Sequence, residues 1–171
     1  GEGAHAYGQS GAGPTSGRAI AIGKNADASG YHAVAMGEGA KVEGTHGLGF
    51  GNLADAKGEA AISIGQSTKS YGIHGVSIGN ATDASGDYSI SIGEAAKGYN
   101  DDSVALGRNA QCGQLSDPNV PYSGANNTGN IAIGRDAKAP RREGTAVGYQ
   151  CITQDVSTAV GGQAQCLDVY D

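Results

Sequence analysis

Three histidines are the residues best placed for chemistry in this 171-residue chain. His32, His46 and His74 are spaced by whole multiples of a period that runs through the sequence. Imidazole nitrogens are common metal ligands, so a shared position in a repeating structure could form a metal site. Two neighbouring rings would need further ligands, however, and no acidic residue has the same spacing until Asp102. We therefore predict no metal site and no cofactor, and expect an exposed ladder of rings that gains charge near about pH 6.

The three cysteines, Cys112, Cys151 and Cys166, are the candidates for a disulfide. An odd count leaves one thiol over, or one available for a link between chains. Cys112 and Cys151 flank an irregular stretch, whereas Cys151 and Cys166 lie about one repeat apart, so either pair could form. The chain shows no Ser/His/Asp or Cys/His set beyond chance, and we predict that it is not an enzyme.

A glycine that recurs at every fourteenth position organises the elements that carry these side chains. It stands at Gly23, Gly37, Gly51, Gly65, Gly79, Gly93 and Gly107. A fixed short period indicates one small unit that is copied and stacked as a solenoid. Each copy has two large apolar residues in alternation before this glycine, then small residues, then in most copies a second glycine that we interpret as another corner. At about 3.3 Å per residue, such a unit holds two short strands and two turns.

The predicted fold class is therefore all-β, a parallel β-roll of about 10–11 coils. One column of charges supports in-register stacking, because its sign alternates from coil to coil. It reads Asp27, Lys41, Asp55, Lys69, Asp83 and Lys97. Residues of one column lie about 4.8 Å apart, where like charges would repel each other and opposite charges attract. We expect this column to face solvent.

A second column contains nothing larger than serine, beside the large apolar residues of the first strand. It consists of Ala19, Ala21, Ala33, Ala35, Gly47, Gly49, Ala61, Ser63, Gly75, Ser77, Ser89, Ser91, Ser103 and Ala105. With the Ile/Val pairs placed inside the roll, these residues would lie outside. Such a restriction on an outer surface indicates the close approach of another backbone. We therefore predict that this column is the oligomer face.

The repeat is interrupted between Gly107 and Gly134, whose separation is almost twice the regular period. We expect a single domain over residues 1–171, with regular coils at 19–111, an inserted loop at 112–129 and irregular terminal coils at 130–171. Prolines and asparagines in the interruption are typical of a loop. Leu115, Tyr122 and Asn126 are our candidates for partner contact. A role as a mere spacer is an equally open interpretation.

The charge pattern argues against several partners. The net charge is −6, and the one basic cluster, Lys138 with Arg141 and Arg142, is short, so we expect neither nucleic acid nor an anionic membrane surface as partner. No apolar run is long enough to span a bilayer, and we expect no direct membrane insertion of this segment. Because the chain begins at Gly1, we expect it to be a piece of a longer protein.

Residues 19–30, 61–72 and 89–97 resemble the head repeats of the trimeric autotransporter adhesins, the YadA-like family. Their approximate pattern is Ser/Ala-Val-Ala-Ile-Gly-x-x-Ala-x-Ala-x-Gly, and the resemblance covers residues 19–107 and resumes at 131–134. It implies a left-handed roll packed as a homotrimer through the small-residue face. It also implies a non-enzymatic surface adhesin that binds extracellular-matrix or other surface proteins, on a bacterial surface, with its outer-membrane anchor outside this chain. The cysteines depart from the family, whose heads usually lack them.

The alternative hypothesis is a structural subunit of a phage tail fibre or extracellular filament. Solenoid ends are unpaired edges that could join successive subunits. Cysteines favour this alternative somewhat, since a virion or filament protein need not cross an outer membrane as an extended chain. The number of chains in the assembly separates the two hypotheses.

Overall fold

The structure is a computed structural model that describes residues 1–9, 17–113, 128–141, 143–153 and 156–166. Its regular elements over these residues are all short strands, and it has no helix there. In chain order they are β1 (His5–Gln9), β2 (Ile20–Ile22), β3 (Asp27–Gly30), β4 (Val34–Met36), β5 (Lys41–Val42), β6 (Leu48–Phe50), β7 (Asp55–Ala56), β8 (Ile62–Gln66), β9 (Lys69–Ser70), β10 (Val76–Asn80), β11 (Asp83–Ala84), β12 (Ile90–Ile92), β13 (Lys97–Gly98), β14 (Val104–Leu106), β15 (Gln111–Cys112), β16 (Ile131–Ile133), β17 (Lys138–Ala139), β18 (Thr145–Val147) and β19 (Thr158–Val160).

The strands form two parallel sheets that face each other. The odd-numbered strands up to β17 make a nine-stranded sheet, and the even-numbered strands with β19 make a ten-stranded one. Each residue pairs with its equivalent in the next coil, as Asp55 pairs with Lys69 and Ile62 with Val76. The predicted all-β solenoid with in-register coils is therefore confirmed. The described residues build about nine turns, fewer than predicted.

The stack continues across the interruption. Val104 pairs with Ile131, and Gln111 pairs with Lys138, although the interruption separates the partners of each pair in sequence. Cys112 therefore belongs to a strand of the stack and is not part of the inserted loop. The ten-stranded sheet then runs on through β18 and β19. Over the described residues, the nine-stranded sheet ends at β17 and continues only as isolated bridges at Ile152 and Gln165, so the terminal coils stay in the stack but are less regular than those before them.

Each coil consists of two similar seven-residue halves. In both halves the third residue adopts the left-handed region, as Leu53 (φ 56°) and Ala60 (φ 52°) do in one coil. The glycine that opens the first half also has positive φ, as at Gly51 (φ 134°). Glycines that open the second half, such as Gly44, lie at the second corner as predicted but do not have positive φ, so the conformational reason that the sequence suggested does not apply to them. They are needed for space, because a Cβ on Gly44 would overlap the carbonyl oxygen of Gly58 in the next coil.

The interior of the roll is lined by small side chains, and this overturns the predicted oligomer face. Alanines and serines of both sheets are 0% exposed within the single chain, among them Ala28, Ala35 and Ser63. The predicted face therefore points inward and cannot meet another chain. This applies to Ala33, Ala35, Gly47, Gly49, Ala61, Ser63, Gly75, Ser77, Ser89, Ser91, Ser103 and Ala105, and to the half-buried Ala19 and Ala21 at the end of the stack.

The reason is the small separation of the two sheets. Val42 is the largest fully buried side chain among the described residues, and across the roll from it stand Gly47 and Gly49. A Cβ on Gly49 would lie 2.7 Å from Val42 Cγ2, and one on Gly47 would lie 2.8 Å from Val42 Cγ1. Since interiors are close-packed, one larger residue requires smaller ones opposite. Pairs of Ile and Val in every coil would not fit this space.

Some polar groups in the interior bond across the roll, whereas among the described residues the buried hydroxyls of Ser70, Ser89, Ser103 and Thr153 have no hydrogen-bond partner. Ser63 Oγ donates to Thr68 Oγ1 at 2.8 Å, and Ser77 Oγ donates to Thr82 Oγ1 at 2.6 Å. Asn130, the residue before β16, connects the two sides of the interruption. Its Oδ1 accepts from Asn100 Nδ2 at 2.8 Å, and its Nδ2 donates to Ala139 O at 3.1 Å. Buried polar side chains are tolerated when they find such partners.

Candidate functional site

The outer surface of the ten-stranded sheet is the main candidate for an interface, and we call it the apolar face. Each strand contributes two outward side chains. They are Ile20, Ile22, Val34, Met36, Leu48, Phe50, Ile62, Ile64, Val76, Ile78, Ile90, Ile92, Val104, Leu106, Ile131, Ile133, Thr145, Val147, Thr158 and Val160. None is fully buried, and exposed fractions reach 37% at Ile64 and 68% at Val160.

The extent of this face sets it apart from scattered surface apolar residues. Nine strand spacings of about 4.8 Å give it a length of about 43 Å. A contiguous apolar surface of this size indicates an interaction site. The same alternation that predicted these strands also placed Ile and Val together on one side, and only the choice of side was wrong.

The outer surface of the nine-stranded sheet is polar, and we call it the polar face. Its alternating charges pair in register, Asp27 with Lys41, then Lys41 with Asp55, so the predicted stacking of the charge column is confirmed. Lys69 is exposed, and the other five side chains of the column are half-buried. The close ion pairs run along a strand instead of between strands, as Lys57 Nζ lies 3.6 Å from Asp55 Oδ2. Lys41 likewise bonds to Glu43, and this hydrogen bond raises the pKa of Lys41 and lowers the pKa of Glu43.

Tyr71 adds an aromatic component to the polar face. Its hydroxyl donates to Asp55 Oδ2 at 2.7 Å, and its ring lies 4.6 Å from Lys57 Nζ. Partial burial raises the pKa of Tyr71, and the bond to Asp55 raises it further. Exposed pairs of this kind contribute about 0.2–1 kcal/mol each, so the polar face can vary without loss of the fold.

The histidine column lies at the second corner of the coils. Rings of His32 and His46 are 5.2 Å apart, and Tyr31 lies 3.9 Å from His32. His74 is separated from them by Ala60 and stacks on Tyr88 at 5.2 Å. The described part of the chain contains no group of three or more His, Cys, Asp or Glu side chains that could hold a metal. The predicted ladder of rings is thus present in two separate pieces.

All three cysteines are free thiols within the single chain, so neither of the pairs considered from the sequence forms inside it. Cys112 and Cys151 are fully buried, and their thiols donate to Val104 O at 3.1 Å and Ala159 O at 3.0 Å. Cys166 is half-buried and donates to Thr158 O. Burial raises the pKa of Cys112 to about 12. Cys112 and Cys151 therefore act as small core residues.

The predicted partner-binding residues of the loop, Leu115, Tyr122 and Asn126, lie outside the described residues. Sequence reasoning missed a different feature of the polar face, which we call the C-terminal groove. It has a volume of about 820 Å³. Six of its lining residues are Lys97, Asn109, Gln111, Asp136, Lys138 and Gln150. The available signal was the charge column, because Gln111 stands where alternation requires an acid.

The comparisons with known proteins agree with the repeat. A family model described as YadA head domain repeat (2 copies) matches residues 15–40, 28–54, 56–82 and 84–110, which together make up more than half of the chain. A search of the curated proteins found no match. In the ranges that the structure describes, no helix has the length and hydrophobicity needed to cross a membrane.

Proposed function

Because the chain belongs to the YadA head repeat family, we propose that it is the head of a trimeric surface adhesin in which three copies pack through their apolar faces. The family is one of structural adhesin domains and not of enzymes. The proposed partners are extracellular-matrix or other surface proteins. The parent protein would hold this head on the outside of a bacterial cell through a part that is not in this chain.

The observation that carries the proposal is the unpartnered apolar face. Full burial of a large apolar side chain contributes about 1.5–3 kcal/mol, so covering the exposed third of Ile64 contributes about 0.5–1 kcal/mol. The face has eighteen such apolar residues, and their sum is on the order of 10 kcal/mol per chain. This is comparable with the estimated cost of bringing chains together, about 4–15 kcal/mol.

A threefold arrangement would also leave the other surfaces of each chain accessible to partners. With the apolar faces turned toward a common axis, each polar face, the ring ladder of His32 and His46, and the C-terminal groove remain on the outside. Each partner-binding surface then occurs three times, and multivalency increases attachment without any new contact.

Attachment of coated beads tests the proposal. Beads that carry the head are applied to wells of immobilised matrix proteins, with the double variant Ile64→Asp and Ile92→Asp as the form that cannot assemble. Lys69→Ala, a change on the polar face, is the matched control. We expect saturable attachment of the wild type and the control, and weak attachment of the double variant.

Two results would contradict the proposal. One is that no matrix or cell-surface protein retains wild-type beads above the blocked wells. The other is that the head polymerises end to end into filaments of growing length, which electron microscopy would reveal. The second result would favour the fibre or filament subunit.

A further inference from the structure

The charge alternation of the polar face breaks down at the C-terminal groove. From Asp27 to Lys97 an acid and a base take turns, but Lys97 pairs with Gln111, and Gln111 pairs with Lys138. Two lysines therefore flank a neutral amide, about 10 Å apart across two strand spacings. Ile152 and Gln165 continue the column without any acid. From Lys97 to the C-terminal end of the column, the groove thus contains two positive charges and no acidic neighbour in the column that would balance them.

The lysines of the groove are also free of local ion pairs. Over the described ranges, the ion pairs join Lys41 to Glu43, Lys57 to Asp55 and Arg135 to Asp136, and none involves Lys97 or Lys138. The one acid that lines the groove, Asp136, already accepts from Asn109 Nδ2 at 2.9 Å and lies 3.7 Å from Arg135 Nε. An anionic ligand would therefore meet little repulsion there.

The rest of the lining is rich in amides. Gln163 Nε2 donates to Gln150 Oε1 at 3.2 Å, and Gln111 Nε2 donates to Gly113 O at 2.9 Å. Each amide has a donor and an acceptor, and these few bonds leave several of them available. Amide groups suit the hydroxyls of a sugar, which also donate and accept. A volume of about 820 Å³ lies within the usual range of about 300–1,000 Å³ for ligand sites.

We propose that the C-terminal groove binds an acidic oligosaccharide, whose carboxylate or sulfate groups contact Lys97 and Lys138 and whose hydroxyls bond to Gln111 and the neighbouring amides. An acidic peptide fits less well. Ile152 and Ala95 are the only apolar residues among those that line the groove, so it offers little anchorage for apolar side chains. Strands β13, β15 and β17 are paired on both sides, so a peptide could extend this sheet only beyond Gln165, two strand spacings away from Lys138.

The inference deepens the proposed adhesion function by naming a ligand class, and rests on that function only for its biological setting. The groove lies on the sheet opposite the apolar face, so assembly leaves it accessible. Binding in solution is measured separately from bead attachment and from the number of chains. A failure of either proposal can therefore be recognised without the other.

The chain contains its own control. A smaller groove of about 330 Å³ is lined by Lys41, Asp55 and Lys69 of the same column. Asp55 lies between its two lysines where the C-terminal groove has Gln111. The variant Gln111→Asp recreates this arrangement at the C-terminal groove. Acids and bases already alternate in this column without harm to the stack, so we expect the variant to fold. Lys138→Gln removes one positive charge directly and is the second variant.

Calorimetric titration of the intact chain tests the proposal with four probes. They are a hyaluronan oligosaccharide, which has carboxylates, a heparin oligosaccharide, which also has sulfates, a neutral dextran oligosaccharide, and a polyglutamate peptide. We expect binding of one or both acidic sugars, weaker at high salt because exposed charges are screened. Gln111→Asp and Lys138→Gln should each weaken it about tenfold or more, whereas Lys69→Gln should leave it within about twofold.

The comparison of the two acidic sugars identifies the anionic group that the groove accepts. The proposal is overturned if neither acidic sugar binds, or if polyglutamate binds as tightly as they do. It is also overturned if Lys69→Gln weakens binding as much as Lys138→Gln does, since binding would then follow net charge and not the groove. Circular dichroism of each variant confirms that it is folded.

Discussion

Replacement of Gly44 by alanine tests how closely the coils approach each other. A Cβ at this position would overlap Gly58 O and lie 3.0 Å from Lys57 O, and real Cβ atoms essentially never come closer than 3.0 Å to another heavy atom. The two coils would therefore have to separate locally by about 1 Å, in an interior that is close-packed. The hydrogen bonds from Gly44 N and Glu43 N to Ala56 O, at 3.3 and 3.0 Å, hold them together there.

Loss of two or three such bonds, at about 1 kcal/mol each, gives an expected destabilisation of about 2–3 kcal/mol. Gly39→Asn is the matched control. Gly39 has φ +63°, and Asn25 and Asn109 occupy the same position of other coils at φ 54° and 56°. A Cβ on Gly39 would meet the flexible end of Leu53, which can move aside. We expect this control to change stability by less than about 1 kcal/mol.

The assay is thermal and urea unfolding of all three proteins at one protomer concentration, because assembly makes the midpoint depend on concentration. The reasoning is refuted if Gly44→Ala is as stable as the wild type. It is also refuted if Gly39→Asn is the more damaging change, since backbone conformation and not close approach would then control the glycine positions.

Two further predictions concern buried polar side chains. The raised pKa of Cys112, from 9.0 to about 12, means that the stability it confers is complete below pH 9 and is lost as the pH rises toward 12, because the thiol ionises in the unfolded chain first. Above pH 9 the free energy of unfolding of the wild type should therefore fall with pH more steeply than that of Cys112→Ala, by up to about 1.4 kcal/mol per pH unit. Equal slopes for the two proteins would show that the pKa of Cys112 is not raised by folding. Ser63→Ala should cost about 1–2 kcal/mol in urea unfolding because it removes the 2.8 Å bond to buried Thr68 Oγ1, whereas an unchanged midpoint would mean that this bond contributes nothing.

Much of the architecture could be predicted because the constant spacing of the glycines fixes the coil and therefore the register. The charge column from Asp27 to Lys97 followed directly from it. The orientation of the strands did not follow, because alternation separates two sets of side chains without stating which set is inside. Ile and Val usually occupy interiors, and that expectation misplaced both the core and the oligomer face.

A local signal for the correct orientation was present in the repeat. In the regular coils Val42 is the largest residue of a column that otherwise has Ala, Ser and Gly, and nearby Gly49 stands where the other coils have Ala or Ser. Such compensation in volume is expected of residues that share an interior. The C-terminal groove was less accessible to sequence reasoning, since Gln111 and Lys138 become neighbours only when the stack closes across the interruption.

The number of chains in solution tests the central claim, that the apolar face of Ile and Val side chains is the interface of a trimer. Native mass spectrometry of the intact chain should give one species of three times 16.9 kDa, and the double variant Ile64→Asp and Ile92→Asp should give single chains that keep their β-sheet circular dichroism. A monomeric wild type at micromolar concentration, or a double variant that still forms trimers, would contradict the account.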